Sequence, residues 1–85
     1  MKTGMYSVYD SKAKAYSHPF HAPNSVVALR IFGDAVADPA TQLNRHPEDY
    51  VLYEIARFDD ETAEIEKINL TAVATALQVK ESSNG

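Results

Sequence analysis

The chain has 85 residues, 45% of them hydrophobic and 24% charged, with three glycines and four prolines, which is the balance of one globular domain rather than a disordered tail. Absence of cysteine excludes disulfides, thiolate chemistry and cysteine-based zinc sites. A formal net charge of −4 conceals an imbalance. Residues 1–47 sum to +2 and hold all three histidines, whereas residues 48–85 sum to −6.

A domain of this size buries only about 60–65% of its unfolded surface, so the core is thin and a partner subunit is expected to help. No apolar run approaches the ~20 residues of a membrane span, and the start MKTGMYSVYD turns polar after one lysine, unlike a signal peptide. The expectation is therefore a cytoplasmic protein that does not engage a membrane.

Met5–Tyr9 alternates and is rich in aromatic and β-branched residues, so it reads as a strand. Asp10-Ser11-Lys12-Ala13 supplies turn chemistry, and Lys14–Phe20 returns as a second strand that must end or lie at an edge at Pro19. Asn24 is a good N-cap for a helix carrying Val26, Leu29, Ile31, Phe32, Ala35 and Val36 at helical spacing, and Asp38-Pro39 ends it. Residues 39–49 read as a loop. DYVLYEIARF is the strongest strand signal, Asp59–Thr62 a turn, and AEIEKI the returning strand. Asn69 is placed to cap a short second helix through Leu70, Val73, Ala74 and Leu77. The predicted fold is α+β in ββαββ order. It has an antiparallel sheet of about four strands under one main helix and a short C-terminal helix, with residues 1–79 as the domain and 80–85 as a disordered tail. A small OB-like barrel is the runner-up, disfavoured by the helix between the hairpins.

Centring the first turn between Ser11 and Lys12 sets Tyr9 opposite Lys14, Ser7 opposite Tyr16 and Met5 opposite His18. One face then mixes rings with positive charge, a combination suited to single-stranded nucleic acid. Bases stack on aromatic rings for about 1–3 kcal/mol each while cations follow the phosphates. The candidate binding residues are Tyr9, Tyr16 and Phe20 for stacking and Lys12, Lys14 and Arg45 for phosphates, with His18 assisting. The competing reading is that Tyr16 and Phe20 fill the core. In the second hairpin, a turn centred between Asp60 and Glu61 pairs Phe58 with Ala63, Arg57 with Glu64 and Glu54 with Lys67. That register gathers Val51, Tyr53, Ile55 and Ile68 on a second apolar face, the expected oligomer interface. His18 and His21 form an H-x-x-H pair, but their spacing sends the rings to opposite sides of a strand, so no metal site is expected. No phosphate loop, catalytic triad or cofactor motif occurs, so neither enzyme activity nor a cofactor is expected.

YSVYDSKAKAY, NSVVALRIF and PEDYVLYEIARFDDETAEI follow one another in a succession that resembles the small non-structural protein of gokushoviruses, the single-stranded DNA microviruses. The resemblance covers about residues 5–68, and the family pattern often has glycine where Ala56 and Ala63 stand. It implies a non-virion protein acting in genome replication in the host bacterial cytoplasm, by binding single-stranded DNA or aiding single-strand synthesis and packaging. It supplies no catalytic residues. The alternative is a protein–protein adaptor whose acidic second hairpin docks on a replication or capsid protein without touching DNA. A DNA-condensing packaging peptide would be strongly basic, and this chain is not.

Overall fold

The computed structural model describes residues 1–84, and its elements follow the ββαββ order. They are β1 (Lys2–Asp10), β2 (Ala15–Tyr16), β3 (Phe20–Ala22), α1 (Ser25–Ala37), α2 (Gln42–Arg45), a 3-10 turn (Pro47–Asp49), β4 (Tyr50–Asp59), β5 (Ile65–Thr75) and α3 (Ala76–Asn84). The five strands make one open antiparallel sheet in the order β2-β1-β4-β5, with β3 continuing the β2 side of β1. It is not a closed barrel.

Asn24 caps α1 as expected, its side chain accepting from Val27 N at 3.0 Å. Ala28, Phe32 and Val36, four residues apart, form the helix stripe that enters the core, while Val26 and Ile31 stay exposed. The stripe packs over Tyr6, Ala22 and Leu52. Residues 39–49 are more ordered than a loop. Thr41 caps α2 through Asn44 N and donates to Ala35 O at 2.7 Å, and Asn44 donates to Val36 O at 2.8 Å. Those bonds fasten the connection to the end of α1.

The C-terminal helix starts later than its apolar spacing suggests. Residues 69–75 extend β5, and the turn into α3 is a reciprocal cap: Gln78 N donates to Thr75 Oγ1 and Thr75 N donates to Gln78 Oε1, both at 3.0 Å. The helix runs through Asn84, across the start of the expected tail at residues 80–85, and Gly85 lies outside the described residues. Ala76 and Val79 join the cluster around Phe32 and Val36, so α3 covers the same side of the sheet as α1. The opposite side carries no helix among the described residues.

Both hairpin registers differ from expectation for one reason. Each turn is organised by the aspartate that ends its first strand. The Asp10 carboxylate accepts from Lys12 N at 2.9 Å and Ala13 N at 3.2 Å, and Lys14 N donates to Asp10 O. The turn is thereby Ser11–Lys14, and Tyr9 pairs with Tyr16 rather than with Lys14. In the second hairpin Asp59 Oδ1 accepts from Glu61 N at 2.9 Å and Ala63 N donates to Asp59 O. Phe58 therefore pairs with Ile65, Arg57 with Glu66 and Ala56 with Lys67. Instead of its expected partner Glu64, Arg57 meets Glu54 on its own strand at 3.6 Å. Ala63 sits at φ 65°, in the left-handed region that favours glycine.

Two consequences of this packing are measurable. Gly4 lies beneath the Tyr6 ring, and a methyl group on Gly4 would overlap that ring. Gly4→Ala is expected to lower stability by about 1–3 kcal/mol, read as a reduced urea midpoint with an unchanged slope. The Tyr6 phenol is held above its ordinary value of 10.0 mainly by burial, with the Glu54 carboxylate adding to the effect, and Tyr50 is raised by burial and then by Asp10. Both phenols ionise more readily in the unfolded chain. Stability should be intact below pH 10 and fall as pH rises through the folded values. In an alkaline titration Tyr6→Phe and Tyr50→Phe should each remove one late-ionising phenol.

Candidate nucleic-acid interface

β1 lies between two neighbours and decides which residues face where. Gly4, Tyr6 and Val8 point towards α1, which leaves Thr3, Met5, Ser7 and Tyr9 on the uncovered side. The ladder extends this side in cross-strand rows. Tyr16, Tyr9, Val51 and Thr75 form one row, and Ser7, Tyr53 and Ala72 the next. His21, Met5, Ala56 and Lys67 follow, and Thr3, Phe58 and Ile65 close the face. Ile55 is the extra residue of a bulge between the Tyr6–Glu54 and Met5–Ala56 pairs, and it lines the same side as Ala56.

Three tyrosines gather at one end. Tyr9 and Tyr16 have ring centroids 4.7 Å apart, and Tyr16 meets Tyr53 edge-on at 6.0 Å. Tyr16 is 46% exposed, so these rings do not fill the core. Beneath them Ser7 is buried and donates to Ser17 O at 2.7 Å. Beside them runs a groove of about 460 Å³ bordered by Ser7, Ile55, Ala56, Lys67 and Leu70.

The same rows sort the charges. Asp10 pairs with Tyr50, Glu54 with Tyr6, Asp59 with Lys2 and Glu66 with Arg57, all in rows that face the helix side. Every strand carboxylate among the described residues is therefore kept off the open face, whose one strand cation is Lys67. Lys12 and Lys14 stand exposed on the turn beyond Tyr9, with Lys14 at φ 56°. The acidic turn of the second hairpin has a local counter-charge. The Met1 ammonium lies 2.8 Å from Asp60, 3.5 Å from Glu61 and 3.8 Å from Asp59.

The expected site residues divide accordingly. Tyr9 and Tyr16 share the open face, because a register shift of two residues preserves the side. Lys14 has left the ladder for the turn, next to Lys12. Phe20 does not belong with them. Ser17-His18-Pro19 makes no ladder pairs, and pairing resumes one residue out of step, so Phe20 turns to the helix side, 5.8 Å from Tyr6. That same slip brings His21 to the open face. His18 is exposed in the link. Arg45 is on α2, where its guanidinium donates to Ala40 O at 3.1 Å and Pro39 O at 3.4 Å, apart from the tyrosine rows.

Of the expected interface residues, Val51, Tyr53 and Ile55 do lie on the open face. Ile68 is half-buried in β5, in the stretch 68–70 for which the ladder gives no partner in β4. The bulge at Ile55 puts Leu52 under α1 and Ala56, Phe58 and Ile65 on the open side. Tyr53, Lys67, His21 and Phe58 are face residues that sequence reasoning left out of the binding set. For Lys67 and Phe58 the signal was Asp59 at the end of β4, which fixes the turn and hence the β4–β5 rows, whereas His21 reaches the face through the unpaired link at residues 17–19.

Two other features carry less. His46, Glu48 and Asp49 bring an imidazole nitrogen and two carboxylates within 4.8 Å of one another on one largely solvated turn, an arrangement common without an ion. A larger hollow of about 580 Å³ on the helix side is bordered by Val8, Phe20, Ile31, Phe32, Leu43 and Tyr50, with Asp10 as its charged group, which suits no polyanion. No helix among the described residues is long and apolar enough to cross a membrane.

No curated protein and no solved structure gives a match to this chain. A family model described as Phage ORF5 protein matches residues 3–79, a span that takes in the sheet from the second residue of β1 onwards, helices α1 and α2 and the first turn of α3. The chain belongs to the Phage ORF5 protein family.

Proposed function

We propose that this phage protein is a sequence-tolerant single-stranded DNA-binding module that acts in genome replication in the host cytoplasm, aiding single-strand synthesis or packaging. One observation carries the reading: an acidic chain withholds every strand carboxylate from one sheet face and places three touching tyrosines and a lysine there. Stacking on a tyrosine needs no particular base, and a face without carboxylates does not repel the phosphates. Lys12, Lys14 and Lys67 supply the cations. With three phosphate contacts the salt dependence is shallow, a slope of about −2 at roughly −0.7 per contact. Affinity then rests chiefly on the rings, and the protein need not be basic overall. Resemblance to the gokushovirus non-structural protein supports the same role.

The test is anisotropy of a labelled oligothymidylate in low salt. Loss of a stacking ring is worth about 1–3 kcal/mol, so Tyr16→Ala should weaken binding by about five- to a hundredfold, and Tyr53→Ala by a similar factor. Lys67→Ala should weaken binding less and flatten the salt slope by about 0.7. Parent protein that ignores the oligonucleotide at low salt, yet co-elutes with a phage replication or capsid protein, would replace this reading with the adaptor one.

A further inference from the structure

The tyrosine cluster occupies only one end of the uncarboxylated face. At the other end His21 meets Phe58 edge-on, with centroids 5.6 Å apart and planes at 84°. The His21 ring is fixed by a hydrogen bond between its Nε2 and Thr3 Oγ1. A shallow hollow beside it is bordered by Met5, Pro19, Phe58 and Ile65, and Ile65 is 64% exposed. Thr3, Met5, Ser7 and Tyr9 lead from this pair to the tyrosines, and the row that holds His21 at one end and Lys67 at the other lies between the Phe58 row and the tyrosine rows. Lys67 is free of ion pairs among the described residues, since Glu66, its neighbour, is taken on the other side by Lys2 at 3.7 Å.

We propose that Phe58 and His21 form a second base-stacking station, and that a single strand runs along β1 and β4 from the tyrosines to this pair with a phosphate near Lys67. The inference rests on the nucleic-acid reading of the face and adds its direction and length. From Tyr9 to Thr3 is six strand steps, roughly 20 Å at about 3.4 Å each. A stacked strand rises about 3.4 Å per nucleotide, so the face covers about six nucleotides, and fewer as the strand is drawn out. A tyrosine cluster acting alone would be filled by about two or three bases, one for each ring that a base can reach. The proposal also accounts for a histidine hydrogen-bonded to Thr3 beside a phenylalanine on a surface that lacks its own cover. An edge-on pair presents both an imidazole and a benzene ring to a planar ligand.

The experiment compares oligothymidylates of three, six and nine nucleotides on the full chain by anisotropy. Parent affinity should rise about tenfold or more from three to six nucleotides and change little from six to nine, apart from statistical sliding. Phe58→Leu, which keeps an apolar side chain against Met5 and Ile65, should compress the six-to-three ratio to about twofold. His21→Ala should compress it in the same direction, whereas Tyr16→Ala should lower affinity for every length. Circular dichroism and the urea midpoint check that each variant is folded. A six-to-three ratio in Phe58→Leu equal to that of the parent overturns the second station, as does a parent that binds three and six nucleotides equally well. A parent that binds none of the three overturns the nucleic-acid reading itself, and the second station with it.

Discussion

Placement of the Tyr6 side chain beneath α1 is the contact on which the remaining geometry depends. Its ring fills the space over Gly4, packs 5.8 Å from Phe20 and sits with Phe32 and Leu52 in the buried cluster. Once Tyr6 and Val8 are committed to the helices, strand geometry leaves Ser7 and Tyr9 no choice but the other side. β1 is hydrogen-bonded to neighbours along both edges, so this division is handed on to β2, β3 and β4 through the ladder. A single buried ring thus determines where five strands expose their chemistry.

Burial and charge are then solved together. In a thin domain α1 and α3 are used on one side, and the carboxylates of β1, β4 and β5 accompany them, facing Lys2, Arg57 and the Tyr50 hydroxyl rather than one another. The other side is spared both cover and negative charge. It is neither a normal solvated face, which would carry mixed charges, nor a normal core face, which would be dry. Rings and a cation without acids are the chemistry that the proposed polyanion binding calls for.

Much of this was legible in the residues, and the rest failed at identifiable points. Element order, the Asn24 cap and the shared side of Tyr9 and Tyr16 follow from alternation and capping chemistry alone. The tyrosine pair survived a wrong register because the error was an even number of residues. Phe20 did not, because the unpaired Ser17-His18-Pro19 link inserts an odd step that no periodicity announces. The same holds at Ile55, where a bulge separates Leu52 from Ala56. Thr75-Ala-Leu-Gln78 is a capping box written plainly in the sequence, yet apolar spacing from Leu70 onwards imitates a helix and draws the boundary too early. Turn length was hardest, since it is fixed by where an aspartate oxygen finds backbone N–H groups rather than by composition.

The order of strands leaves β5 with one flank of its backbone unpaired over eleven residues. Such a flank invites another copy to add on, and a lysine partway along a rim is a common deterrent. Lys67 occupies that position, so under the proposed function one ammonium group would serve solubility as well as recognition. A polyanion laid across the face would cancel that charge, and neighbouring molecules on a shared strand would then meet with their mutual repulsion relaxed.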